Sequence, residues 1–247
     1  IDVTVQGLLH KADNEYFIES YQLGVCDFAA LGLGHDDNGV KRAVEAMLNQ
    51  GLYNNVTSDV SAFDFSVDEK FIQGDGQRRS MFIEDKDLGR LVELYSHVLS
   101  RHVIANGEVI CECKKLGITT SGQLSTTSQN TYVRGVTAHI GGCTRYLNLS
   151  DDLVAATGFD ATALIPFGFK SREVEENAGI ANFTSHKFDL DKGIAYFQNT
   201  EKCLWNLYNT CANDSDNPQR FASIASVHRH NPEFVEELDK IAREFSI

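Results

Sequence analysis

Tyr146-Leu147-Asn148-Leu149-Ser150-Asp151-Asp152-Leu153-Val154-Ala155-Ala156 is two short apolar runs parted by a serine and two aspartates. Two β-prone runs around a tight polar break predict an antiparallel hairpin with acid at its tip. Upstream, Ser58-Asp59-Val60-Ser61-Ala62-Phe63-Asp64-Phe65-Ser66 sets two more aspartates in a stretch whose composition predicts a strand over 57–65. Asp59 and Asp64 are an odd number of residues apart, so a regular strand points them to opposite faces. One site can use both only if the strand ends or bulges between them. Two carboxylates about 4 Å apart repel by about 4 kcal/mol at an effective dielectric near 20, so such a cluster calls for a cation. Hard oxygen ligands suit Mg2+ or Mn2+. With 35 acidic residues in the chain, chance is the competing reading of either cluster alone.

Between the clusters lies Thr119-Thr120-Ser121-Gly122-Gln123-Leu124-Ser125-Thr126-Thr127-Ser128-Gln129-Asn130-Thr131-Tyr132-Val133-Arg134. A glycine followed by hydroxyl residues entering a helix, predicted over 125–140, supplies neutral donors that read a sugar or a phosphate without adding charge. The same residues are also ordinary helix-capping residues.

The 247 residues carry 22 basic and 35 acidic side chains, a net charge of −13, and are 42% hydrophobic. That composition describes a globular chain and excludes one whose whole surface grips nucleic acid, though not one with a local basic channel. No apolar run is long enough to span a bilayer as a helix. Six scattered cysteines predict reduced thiols rather than a disulfide scaffold or a zinc site. The first residue is Ile1, and the absent Met predicts a cleavage product or a fragment. Asp36-Asp37-Asn38 caps a helix carrying Val40, Val44 and Met47; an amphipathic helix is predicted over 88–103 through Leu91, Leu94, Tyr95, Val98 and Leu99. Ala161 to Phe167 predicts a short helix, Phe183 to Phe197 a second small hairpin, and Asn231-Pro232 the start of a helix with Phe234, Leu238, Ile241 and Phe245 on one stripe. Strands and helices mix rather than alternate strictly, so the expected class is α+β.

The acidic and hydroxyl stretches together resemble the palm of viral RNA-dependent RNA polymerases, nearest to positive-strand viruses of the sobemovirus, polerovirus and barnavirus kind. In that family an Asp, four residues and an Asp form the first palm motif, matched by Asp59 and Asp64. Ser-Gly, three residues, Thr, three residues and Asn form the second, matched by Ser121, Gly122, Thr126 and Asn130. Paired aspartates of a hairpin turn form the third, matched by Asp151 and Asp152 with Ser150 where the family usually has glycine. A lysine after a short helix is matched by Lys170, and a primer-gripping hairpin by Phe183 to Phe188 with Ser185 and His186. No basic fingers motif precedes Asp59, which marks the chain as palm-centred and accounts for its acidity.

The resemblance implies a polymerase palm, an antiparallel sheet backed by helices, with partial fingers and the start of a helical thumb. It implies residues 1–198 as palm with a fingers-like insertion at about 68–118, and 199–247 as the start of the thumb, where Arg220, His228, His230 and Arg243 offer contacts to duplex product. The implied activity is RNA-directed RNA synthesis by two-metal phosphoryl transfer. Asp59 and Asp151 would bridge two Mg2+ or Mn2+ ions about 4 Å apart, with Asp152 as a further ligand. Asp64 and Asn130 would sense the ribose 2′-hydroxyl beside Ser121, Gly122 and Thr126; Lys170 would be the general acid toward pyrophosphate; Ser185 and His186 would contact primer or product. Implied partners are RNA template and primer, ribonucleoside triphosphates and other parts of a viral polyprotein, in a replication complex in host cytoplasm. The rival readings are a reverse-transcriptase-like palm and a non-catalytic palm-like binding module.

Overall fold

A computed structural model describes residues 3–99, 103–106, 109–112, 117–119, 125–211 and 217–245. In chain order the elements are α1 (Val3–Gln22), α2 (Asp37–Asn49), β1 (Asn54–Val60), α3 (Phe63–Ser66), α4 (Glu69–Ser80), α5 (Lys86–Leu99), β2 (Val103–Asn106), β3 (Val109–Glu112) and α6 (Thr126–Ile140). There follow β4 (Tyr146–Leu149), β5 (Asp152–Ala156), a 3-10 helix (Ala161–Phe167), β6 (Ser171–Ala178), β7 (Ile180–Phe183), β8 (His186–Asp189), β9 (Ile194–Phe197), α7 (Thr200–Cys211), α8 (Asn217–His228) and α9 (Pro232–Phe245). The class is α+β, as the mixed order predicts.

The central sheet has the order β4-β5-β1-β6 with every neighbour antiparallel. Helix α6 packs on β4 and β5, and α2 packs on β4. Val56, Val133, Leu147, Val154 and Met47 are buried in the core this creates. β1 is covered on both faces: Asn55 through Ser58 are all buried. Asn55 Nδ2 donates to the carbonyls of Leu52 (3.0 Å) and Ile180 (2.9 Å), tying β1 to the second sheet, β7-β8-β9.

The strand predicted over 57–65 stops at Val60. Ala62 takes a left-handed φ of 49°, and Phe63–Ser66 closes as one helical turn. Phe63 is buried against Phe169, with ring centroids 5.5 Å apart, so the turn folds inward instead of extending the strand. Phe183 to Phe197 likewise forms three strands with two turns rather than one hairpin.

β6, with the sequence Ser-Arg-Glu-Val-Glu-Glu-Asn-Ala, escapes sequence reading because it is the sheet's edge and shows no apolar alternation. Charge on an edge strand is a common guard against unwanted pairing. Helix α4 escapes for a related reason: three of its four buried positions are Asp75, Gly76 and Arg79 rather than an apolar stripe. Arg79, 1% exposed, donates to Asp75 (2.7 Å), Ser128 Oγ on α6 (2.6 Å) and Asn14 on α1 (3.1 Å), and also pairs with Asp13. Burial opposes ionisation of Asp75, but Arg79 and Arg78 more than compensate and hold its carboxyl below the usual range.

Helix α5 ends at Leu99, and Val103 begins a strand instead of extending the helix. The predicted apolar stripe also faces outward in part: Leu91, Leu94 and Val98 are 51%, 56% and 52% exposed, while Val92 and Ser96 are buried. The last helices hold a small core of Phe234, Leu238 and Ile241 with Phe221 and Ile224, three positions of the stripe predicted for α9; the Phe245 side chain lies outside the described residues. His228 belongs to that core, 1% exposed and stacked on Phe234 at 3.7 Å, so it is not the surface contact expected of it. Among the described residues no helix is long and apolar enough to cross a membrane.

Removing one partner of a buried charge pair strands the other, which typically costs about 3–5 kcal/mol. Arg79→Met is therefore expected to lower stability by that amount in urea denaturation, with the midpoint rather than the slope shifting.

Candidate active site

Asp59 sits at the last exposed position of β1, one residue before the strand ends at Val60 and three before the left-handed Ala62. Ser58 pairs with Leu153 across β5, so the Asp151-Asp152 turn lies at the same end of the sheet. Leu149 pairs with Asp152, leaving Ser150 and Asp151 as a two-residue turn. Ser150 has φ 54°. The left-handed region favours glycine, which explains physically why a glycine would suit that place. Serine is held there by its amide, which donates to Thr131 Oγ1 on α6 at 2.8 Å.

Because β1 ends between them, Asp59 and Asp64 reach one site after all. Both line a cavity of about 390 Å³ together with Asp151 and Arg172. Asp59 and Asp152 line a second cavity, of about 230 Å³, with Glu175, Asn182, Ser185 and Gln198. The condition set by their odd spacing is met.

Helix α6 supplies the polar floor. Asn130, buried, donates from Nδ2 to Asp64 Oδ1 at 2.7 Å, while its Oδ1 is buried without a partner. Arg134, four residues on and wholly buried, donates from Nη2 to the Ser58 carbonyl at 2.7 Å. Burial lowers the Arg134 pKa to about 10, against the pull of Asp151, Asp152 and Asp59. Asp152 shows the converse: burial first, then Asp151 and Asp59, push its carboxyl up to about 7, although Arg134 and the Thr184 amide favour the charged form.

The predicted site residues fall into three groups. Asp59, Asp64, Asp151, Asp152 and Asn130 are brought together, and Thr126 opens α6 at its N-terminus. Ser121 and Gly122 lie outside the described residues. Lys170 is exposed, and its carbonyl accepts from the Ser61 amide at 3.0 Å, fixing its backbone beside the end of β1. At the β7–β8 turn Ser185 is exposed, whereas His186 is 5% exposed, stacked on His35 at 3.8 Å, and donates from Nδ1 to the Thr184 carbonyl at 2.7 Å. That geometry makes His186 a support of the turn. Sequence reading missed Thr131, Arg134 and Arg172. The spacing of Arg134, one helical turn after Asn130, was the available signal.

Among the described residues no group of three or more His, Cys, Asp or Glu side chains is gathered so that it could hold a metal ion by itself. Asp59, Asp64 and Asp151 instead line one cavity, and Asp59 and Asp152 a second. That donor set suits Mg2+, which keeps waters and binds through one or two carboxylates plus substrate phosphates. Burial is the largest cause of the raised Asp152 pKa, and the neighbouring Asp151 and Asp59 add to it.

No protein-family model matches the chain. Protein P2-P3 of Poinsettia latent virus is 28% identical over 196 residues, which is 75% of this chain and 17% of that protein. Among solved structures, the RNA-dependent RNA polymerase of a human picobirnavirus superposes with a TM-score of 0.62 at 16% identity, over 81% of this chain and 45% of that one. Its insertion-loop deletion mutant gives 0.61 at 17% identity, over 80% and 46%. The chain thus has the fold of the viral RNA-dependent RNA polymerases, and spans under half the length of those structures and about a sixth of the curated relative.

Three variants test this geometry. Ser150→Gly relieves left-handed strain but adds freedom to the unfolded chain, each about 1 kcal/mol and opposed; its melting temperature is expected to stay within about 3 °C of the parent. Ser150→Val is expected to lose about 1–2 kcal/mol. Because folding raises the Asp152 pKa from 3.8 to about 7, the folded state holds an extra proton between those values and loses stability as pH climbs through them. Without divalent cations, Asp152→Asn is accordingly expected to raise the melting temperature at pH 8, with the gain shrinking toward zero near pH 4.

Proposed function

We propose that the chain is the palm-centred part of a template-directed RNA polymerase that joins ribonucleoside triphosphates during viral RNA replication. The observation that carries this reading is the convergence of Asp59, Asp64 and Asp151 on one cavity, with Asn130 hydrogen-bonded to Asp64 at its edge. Asp59, Asp151 and Asp152 would hold two divalent cations, Mg2+ or Mn2+, which lower the pKa of the attacking 3′-hydroxyl and offset charge on the phosphate oxygens.

The chain's own residues position the sugar and phosphates around that centre. Asp64 and Asn130 read the ribose 2′-hydroxyl: the unpartnered Asn130 Oδ1 supports this, since a buried acceptor without a donor favours a ligand that brings one. Ser121, Gly122 and Thr126, the last opening α6, belong to the same sugar-reading segment. Lys170 is the general acid toward pyrophosphate, and the Ser185 turn braced by His186 bears on the primer strand. Residues 1–198 form the palm with a fingers-like insertion at about 68–118, and 199–247 begin the thumb. Template, primer and other polyprotein segments are the partners, in a replication complex in host cytoplasm. The placement near sobemoviruses, poleroviruses and barnaviruses is part of this proposal, supported by the motif spacing. A reverse-transcriptase-like site is disfavoured because the Asp64–Asn130 pair offers hydrogen bonds to a ribose hydroxyl where a DNA-building site sets a steric block.

The test is primer extension on an RNA template, with the chain carried in its complete reading frame. Asp151→Ala is expected to cut extension at least about a hundredfold, and equal extension by parent and variant removes the catalytic reading in favour of a binding module. Asn130→Ala is expected to reduce the preference for ribo- over deoxyribonucleotides by about tenfold or more.

A further inference from the structure

Pairing between β1 and β6 is regular until Asp59, which faces Glu173; Val60 then faces Ser171. Arg172 is the residue left over. A bulge of this kind leaves one residue out of the ladder and re-aims its side chain. Here the side chain is turned into the cavity of about 390 Å³ that Asp59, Asp64 and Asp151 also line. Arg172 is exposed. None of the ion pairs among the described residues includes it. In a chain of net charge −13, a guanidinium beside three carboxylates and unspent on an ion pair with them is placed for an incoming anion.

We propose that Arg172 is the phosphate-binding contact of this site, taking the β- or γ-phosphate of a nucleoside triphosphate. The proposal rests on the polymerase reading above. The planar fork of a guanidinium matches phosphate oxygens in a bidentate way that a lysine does not. The other groups on the cavity set the class of ligand: carboxylates that would share cations with phosphate oxygens, among them Asp64, which Asn130 holds from behind by a hydrogen bond and which is placed for a sugar. A polyphosphate attached to a ribose satisfies both. Lys170 lies two residues before Arg172 but is not among the residues lining this cavity. An RNA backbone phosphate offers the same oxygens, so the experiment must separate the two sources.

Equilibrium binding of GTP, GMP and a short RNA is measured in Mn2+ for the 247-residue chain, for Arg172→Gln and for Arg172→Lys. The parent is expected to bind GTP more tightly than GMP. Arg172→Gln is expected to lose about tenfold on GTP, the worth of one charge-assisted hydrogen-bonded contact, and less than twofold on GMP and RNA; Arg172→Lys recovers part of the loss. Equal losses on GTP and GMP, or a loss confined to RNA, overturn the assignment. A parent that does not distinguish GTP from GMP tells against the polymerase reading itself, before Arg172 is at issue. Because the side chain is exposed, an unchanged melting temperature for Arg172→Gln confirms that the readout is binding and not folding.

Discussion

One face of helix α6 holds the candidate site together. Asn130 grips the Asp64 carboxylate, Thr131 takes the amide of the strained Ser150, and Arg134 reaches under the sheet to the carbonyl just before Asp59. Two acidic segments far apart in the chain, 58–66 and 150–152, are thereby fastened to one rigid element. Each contact is modest alone, about 1 kcal/mol net for a neutral hydrogen bond and more where a charge is involved. Their common attachment fixes the relative position of the carboxylates, which no single contact could do. Arg79, bonded to Ser128 on the same helix, extends the frame to α4 and α1.

The electrostatics of that frame run against folding. Asp59, Asp151 and Asp152 share one end of the sheet, and the buried positive charge beneath them is Arg134, which forms no direct ion pair with them among the described residues. Burial and, after it, repulsion from Asp151 and Asp59 raise the Asp152 pKa. A protein selected only for stability would replace one of these acids. Keeping all of them fits a site completed by cations and phosphates that arrive with substrate.

Much of this was legible in the sequence where local chemistry and fold agree. The 146–156 hairpin, the α6 helix and the capped α2 and α9 helices follow from apolar spacing and turn residues. The acidic motifs, each open to chance alone, were legible because they occur in order around the Ser121–Asn130 stretch. What escaped reading was decided by tertiary contacts. β6 is a strand because β1 needs a partner, though its residues are mostly charged or polar. α4 is buried through ion pairs, so it has no stripe to find. The turn at Ala62 depends on Phe169, more than 100 residues downstream, filling the space beneath Phe63. Arg172 became visible as a site residue only through a register slip that no periodicity encodes.

The outward leucines of α5 have a colloidal consequence. At neutral pH the surplus of negative charge makes copies of the chain repel one another before such a face can meet its like. The sequence isoelectric point is near 5.0, and in buffers close to it that barrier vanishes while the apolar row stays in place. Mildly acidic conditions are therefore where the isolated chain comes out of solution most readily, for reasons that lie on the helix farthest in character from its chemistry.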